Sequence, residues 1–240
     1  MSWLNIFGKK GPSEEAIAKQ VRKAKEPYAQ PDYRRMAMDQ LLKWDTEASL
    51  RGVMERFTAV VQSPHWDEEE KTWLVSQLVE LGDKTAPILR RFILEKNEVN
   101  HALLAYSQIV KDQNIYGDLL IEALKSRPPS DHRSVQGKQE ILAAMMELND
   151  RRFDQYILPH LDDHSDDVQC LAIEALSNSN NAEAERRIVL MLGSDSHSAR
   201  VVRAAASVVE RQKFKVPENL VLSEVVSEDY RIGDGHLVRV

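Results

Sequence analysis

Apolar positions recur along this chain at spacings of three and four, the period of an amphipathic helix. Leu50, Val53, Met54, Phe57, Val60 and Val61 follow it in one run, and Ile17, Val21 and Ala24 form a narrower stripe. The pattern predicts helices over 13–26, 32–43, 46–61, 67–81, 84–96, 98–110, 113–126, 134–148, 152–161, 166–177, 181–192 and 197–211. Ser13 is placed to cap the first, with Glu14 and Glu15 on the favourable side of its dipole. In 32–43 the period turns Met36, Leu41 and Leu42 inward. Ser63-Pro64-His65-Trp66 reads as a turn, Asp67 with Glu70 reads as an N-cap close to a capping box, and Gly82 is a stop. The short connections predict antiparallel neighbours, and the widest interruption, Arg127 to His132, reads as a loop. Strand-favouring residues gather only near the end. Val225, Val226, Tyr230 and Ile232, then Leu237, Val238 and Val240, flank the turn signal Gly233-Asp234-Gly235. A hairpin or extended tail follows, and it needs support, since an isolated hairpin is marginal in water.

The helical pattern repeats. Val168, Ala172, Ala175 and Leu176 fall over Val201, Ala205, Val208 and Val209 at an offset of 33 residues. Related stretches open at Glu80 and at Glu147. Small residues such as Ala172 and Ala205 let helices approach closely, and one helical pair cannot bury its apolar faces alone, so pairs stack. Through Asp167-Val168-Gln169…Ala172…Ala175-Leu176 and Leu81-Gly82-Asp83…Ala86-Pro87…Leu89 the chain resembles the HEAT-repeat, armadillo-like α-solenoid family, with Gln169 where the family usually carries Arg. The resemblance covers 80–212 and thins over 31–79, where Trp44, Trp66 and Trp73 are atypical. It implies an all-α fold, an α-α superhelix of roughly five stacked pairs. Residues 1–30 would form a tail and capping helix, 31–212 the solenoid and 213–240 an extended or hairpin C-terminal extension. Armadillo-type and tetratricopeptide repeats are the alternatives, and the Trp, Gly and Tyr pattern of the latter is absent.

Composition narrows the function. The 240 residues carry 32 Lys and Arg against 38 Asp and Glu, a net charge of −6, which disfavours a nucleic-acid partner. The single Cys170 makes neither an internal disulfide nor a multi-cysteine zinc site, so a reducing, cytoplasmic setting is the default, and on its helix it reads as a small core residue. No apolar run is long enough to span a bilayer. The first ten residues lack the basic start of a secretory signal. Trp3, Leu4 and Phe7, followed by Lys9 and Lys10, offer a membrane-surface foothold as a minor reading, against disorder or docking on the body.

No Gly-rich phosphate loop, nucleophile elbow or H-E-x-x-H occurs. No His-Glu dipeptide occurs either, which separates the chain from the di-iron hydroxylases built on HEAT repeats. His160 and His164, four apart among Asp162, Asp163, Asp166 and Asp167, are the nearest approach to a metal site. Their place in an inter-helix turn favours a structural reading, so no metal and no cofactor is assigned. The resemblance also admits enzymes, DNA glycosylases and bilin lyases among them, but neither a basic DNA-gripping face nor a chromophore pocket is marked here.

In such solenoids the second helix of each pair lines the concave face. Those helices carry Arg51 and Arg56, Arg90 and Arg91, and Arg186 and Arg187. A row of guanidinium groups suits an acidic or phosphorylated peptide. Arg51, Arg90, Arg91, Arg186 and Arg187, with Trp66 as a contact or a wedge between repeats, are therefore the candidate partner-binding residues of a non-catalytic scaffold or adaptor. The opposing reading is a solvated face with Arg51–Glu55 and Arg91–Glu95 pairs four apart. The C-terminal tail is expected to cap the last repeat, with pairing to a partner's sheet edge as the alternative.

Overall fold

The computed structural model describes residues 11–240, so the apolar turn from Trp3 to Phe7 and its lysines lie outside the described residues. The described chain is mostly helical, with one two-stranded sheet, and divides into two compact units, Met1–Asp112 and Gln113–Val240. Among the described residues no helix is long and apolar enough to cross a membrane.

The N-terminal unit holds α1 (Glu14–Ala24), α2 (Pro31–Trp44), α3 (Glu47–Met54), α4 (Pro64–Leu81), α5 (Ala86–Glu95) and α6 (Asn100–Ile109). α2 packs on α4 and α4 on α6, while α1 packs on α3 and α3 on α5. α1 with α2, α2 with α3, and α5 with α6 join these two rows. Ser13 caps α1 as predicted, its hydroxyl accepting from Ala16 N at 3.2 Å.

A buried ion cluster holds this unit together. Arg34 on α2 donates to both carboxylate oxygens of Glu70 on α4, the shortest contact being 2.7 Å from Nη2, and its Nη1 reaches the carbonyls of Glu26 and Ala29. Arg56 donates to Glu70 at 3.0 Å, to Asp67 at 2.8 Å and to the Ala59 carbonyl at 2.9 Å. Lys71 donates to Asp67 at 2.7 Å. Burial pushes the Asp67 carboxyl up, but Lys71 and Arg56 outweigh it and hold it below the usual carboxylate range.

The cluster corrects several sequence expectations. The helix predicted over 46–61 stops at Met54, passes through a 3-10 turn at Glu55–Thr58 and is extended at Ala59, where the chain bends to meet Arg56. Arg56 is fully buried and belongs to no outer face. Asp67 does not cap a helix. α4 begins three residues earlier, at Pro64, and takes in His65 and Trp66 instead of leaving them in a turn. Met36 points outward, 72% exposed, and Met38 takes the inward place. Val60, past the early end of α3, is also exposed.

The C-terminal unit holds α7 (Gln113–Lys125), α8 (Val135–Leu148), α9 (Asp154–Ile157), α10 (Asp166–Leu176), α11 (Ala182–Leu190), α12 (Ala199–Gln212), α13 (Glu224–Ser227) and a hairpin of β1 (Tyr230–Gly233) and β2 (His236–Arg239). α8, α10 and α12 pack in a row and share one register. Counting from the caps Ser134, Ser165 and Ser198, the buried positions are Gly137, Lys138, Ile141, Leu142 and Met145; Val168, Gln169, Ala172, Ile173 and Leu176; and Val201, Val202, Ala205, Ala206 and Val209. At three of its four positions, Val168, Ala172 and Leu176 over Val201, Ala205 and Val209, the 33-residue offset of the sequence is a repeat in burial as well. α2 follows the same count from Gln30, burying Arg34, Ala37, Met38 and Leu41. The helix predicted over 152–161 is instead a 3-10 turn, the four-residue α9 and a second 3-10 turn at Leu158–Asp162. Pro159, which lacks an N–H and disfavours the helical conformation before it, sits in the second turn.

The extension after α12 packs back on that helix through α13 and β2, burying Val216, Val226 and Leu237. Val225 and Val226, expected in a strand, lie in α13. The hairpin pairs Tyr230 with Arg239 and Gly233 with His236. Its turn needs positive φ at both central residues, and Asp234 (52°) and Gly235 (73°) supply it. Val208 is buried on α12, whereas Ala144 and Ala175, its counterparts on α8 and α10, are half-buried. The extension packed on α12 goes with fuller burial at this position than α8 and α10 show.

Two measurements check this account. Glu70→Gln leaves Arg34 and Arg56 buried with too little negative charge, and should lower unfolding stability by roughly 3–5 kcal/mol. A loss below about 1 kcal/mol in urea titration would show the cluster to be dispensable. Leu237→Ala should cost about 2–5 kcal/mol if the tail is part of the C-terminal core, and almost nothing if the tail only rests on it.

Candidate functional site

The arginines singled out from sequence lie on the row α3, α5 in one unit and on α11 in the other. Arg51 is exposed, and among the described residues no ion pair holds it. Glu55, four residues on, is taken by Lys25 at 3.5 Å and Lys96 at 2.7 Å.

Arg90 and Arg91 both face outward but part company. Arg91 pairs with Glu47 of α3 at 3.5 Å rather than with Glu95. Beside it Lys84 pairs with Asp45 at 2.7 Å. These two bridges border a groove of about 450 Å³ whose apolar floor is Leu50, Pro87 and Ile88. Arg90 instead acts on Tyr106 of α6: burial pushes that hydroxyl up, and the Arg90 charge offsets part of the effect.

Arg186 and Arg187 are brought together. Arg186 makes a two-point contact with Glu183, both at 2.8 Å, and the exposed pair raises the guanidinium's pKa further. Arg187 is largely covered, donating to the Leu158 carbonyl at 3.0 Å and to Asp162 at 2.5 Å. A groove of about 490 Å³ runs beside them, lined also by Leu190, Met191, Ser194 and His197. A second groove, about 260 Å³, lies against Ala182, Glu185, Val189, Lys215 and Pro217 and shares Arg186 and Leu190 with the first. Leu190 stands between them, 46% exposed. Sequence reading passed over Leu190. The signal was there, since it follows Arg186 by four residues and therefore shares its helix face.

Trp66 lies on α4, in the other row of the N-terminal unit, and is 41% exposed.

His160 and His164 converge on one carboxylate. Asp163, fully buried, accepts Lys138 Nζ at 2.6 Å and His160 Nδ1 at 3.2 Å on Oδ2, and Ser165 N at 3.0 Å on Oδ1. His164 Nδ1 lies 3.1 Å from that Oδ1 and 2.9 Å from the Pro129 carbonyl. The His132 ring sits 3.8 Å from the His164 ring. Asp163 therefore ties the turn before α10 to Lys138, while His164 and Lys138 reach the Pro129 carbonyl in the loop before α8. Among the described residues no group of three or more His, Cys, Asp or Glu is placed to hold a metal ion. Cys170 is half-buried rather than fully so, and burial pushes its thiol up, away from the reactive thiolate.

No family model, no curated protein and no solved structure matches this chain.

The histidine cluster has a pH signature. Burial lowers the His160 pKa, although Asp163 pulls it the other way. Below the ordinary imidazole value of 6.5 the unfolded chain takes up the proton more readily than the folded one. The stability from neutral His160 is thus present above 6.5 and lost as pH falls through its folded value. The thermal midpoint should decline over that interval, and His160→Gln should flatten the decline. An unchanged slope in the variant would place the acid sensitivity elsewhere.

Proposed function

We propose that this chain is a non-catalytic interaction scaffold or adaptor, a HEAT-like α-solenoid that holds a partner protein on the outward face of α11 in the C-terminal unit. The solenoid reading draws on helices stacked in successive pairs within each unit and on the burial register counted from Ser134, Ser165 and Ser198.

The observation that carries the binding reading is Leu190. A large apolar side chain nearly half in water, between two open grooves and next to a guanidinium, suits a peptide with an apolar anchor and a neighbouring carboxylate or phosphate. The Arg186–Glu183 pair is no obstacle. Exposed ion pairs contribute only about 0–1 kcal/mol, so Arg186 can exchange Glu183 for an incoming anion. Arg187, held by Leu158 and Asp162, fixes the groove wall.

The test is affinity capture from native extract with the intact chain and with an Arg186→Glu/Leu190→Asp variant, read by mass spectrometry and absorbance. A protein enriched stoichiometrically by the first and reduced about tenfold with the second, with no absorbing cofactor, is the expected outcome. A bound chromophore or metal without an enriched protein would replace the scaffold reading with an enzymatic one.

A further inference from the structure

The outward face of the α2–α4 row in the N-terminal unit has a different chemistry from the α11 grooves. α2 exposes Asp32, Met36 and Asp39, and α4 exposes Trp66, Glu69 and Glu80. Large apolar groups thus stand among carboxylates. Two cations at its border lie on its rings. The Arg35 guanidinium is 3.1 Å from the centre of the Trp73 ring while its Nε is 3.7 Å from Asp39. The Lys23 ammonium is 5.2 Å from the Tyr33 ring. The remaining cation on this face, Lys43, is in the last turn of α2.

Trp66 precedes Trp73 by seven residues, two turns along the same face of α4, and Glu69 lies between them. Trp66 shares an indole and a nearby carboxylate with the Arg35 site, where the carboxylate, Asp39, lies on the arginine's own helix, and among the described residues no Lys or Arg covers Trp66. Its ring neighbour is His65, 5.3 Å away and 79% exposed, which lies 3.6 Å from Glu69.

We propose that Trp66 and Glu69 form a docking point for an arginine-rich segment of a partner protein, one guanidinium lying on the indole with its charge against Glu69, as Arg35 lies on Trp73 against Asp39. Arginine fits better than lysine, because its planar group stacks on a ring and pairs with a carboxylate at once. The carboxylates at this face repel phosphate, which disfavours nucleic acid and anionic lipid as occupants. The inference does not depend on the α11 reading, and the residues it names lie in the other unit.

The experiment is titration calorimetry of the full chain with three short peptides of equal length, rich in arginine, lysine or glutamate. The arginine peptide should bind most tightly, more weakly in high salt, and the glutamate peptide not at all. Trp66→Ala and Glu69→Lys should each lower the arginine-peptide affinity about tenfold. Glu218→Lys, the same change of charge on the exposed C-terminal extension, should leave it within about twofold. Equal losses from Glu69→Lys and Glu218→Lys would mean non-specific attraction to an acidic chain and would overturn the proposal. So would unchanged affinity in Trp66→Ala, or binding of the glutamate peptide. Circular dichroism of each variant separates lost binding from lost fold.

Discussion

A cation taken out of water must meet an anion or lose several kcal/mol to desolvation, and among the described residues five Lys and Arg side chains are buried, Arg127 donating to the Ala123 carbonyl and the other four meeting carboxylates. Arg34, Arg56, Lys71 and Lys138 sit where an amphipathic helix would carry aliphatic side chains. Glu70 and Asp67 answer the first three, and Asp163 answers Lys138. The Arg34 guanidinium grips Glu70 at two points, so α2 and α4 have one register. The same demand bends the chain after Met54, because Arg56 needs the Ala59 carbonyl as well as the two carboxylates.

This is also why part of the fold was legible in the sequence and part was not. Helices with an aliphatic inner stripe, such as α10 and α12, lie within a residue or two of their predicted ends. Two errors fall where buried charges replace apolar side chains, and another falls at Pro159. Period counting turned Met36 inward where Arg34 and Met38 are buried instead, and it read Asp67 and Glu70 as a capping pair when both accept from buried arginines. The C-terminal hairpin was legible through its Asp-Gly turn, whereas α13 was hidden by two adjacent valines that favour strands.

The candidate surface divides in the same way. Spacing within a helix suggested Arg51–Glu55 and Arg91–Glu95, but Arg91 finds its acid on α3, and Arg187 finds its own in the 3-10 turn before α10. Partners on neighbouring helices are invisible to a count along one helix. What remains outward after this pairing is chemically mixed. Leu190 with Arg186 offers an apolar anchor beside a lightly held cation, and Trp66 with Glu69 offers a ring beside a carboxylate. The two proposed sites, one in each unit, differ in charge preference.

The neighbour-to-neighbour packing within each unit has a kinetic side. Every helix rests on helices one or two places away in the chain, so each contact closes only a short loop. Loop-closure entropy rises with length, and chains dominated by such local closures cross their folding barriers quickly. Dehydrating Arg34, Arg56 and Glu70 requires α2, the end of α3 and α4 to be assembled together. The buried cluster therefore closes only when three segments are in place at once, whereas an aliphatic contact needs only two.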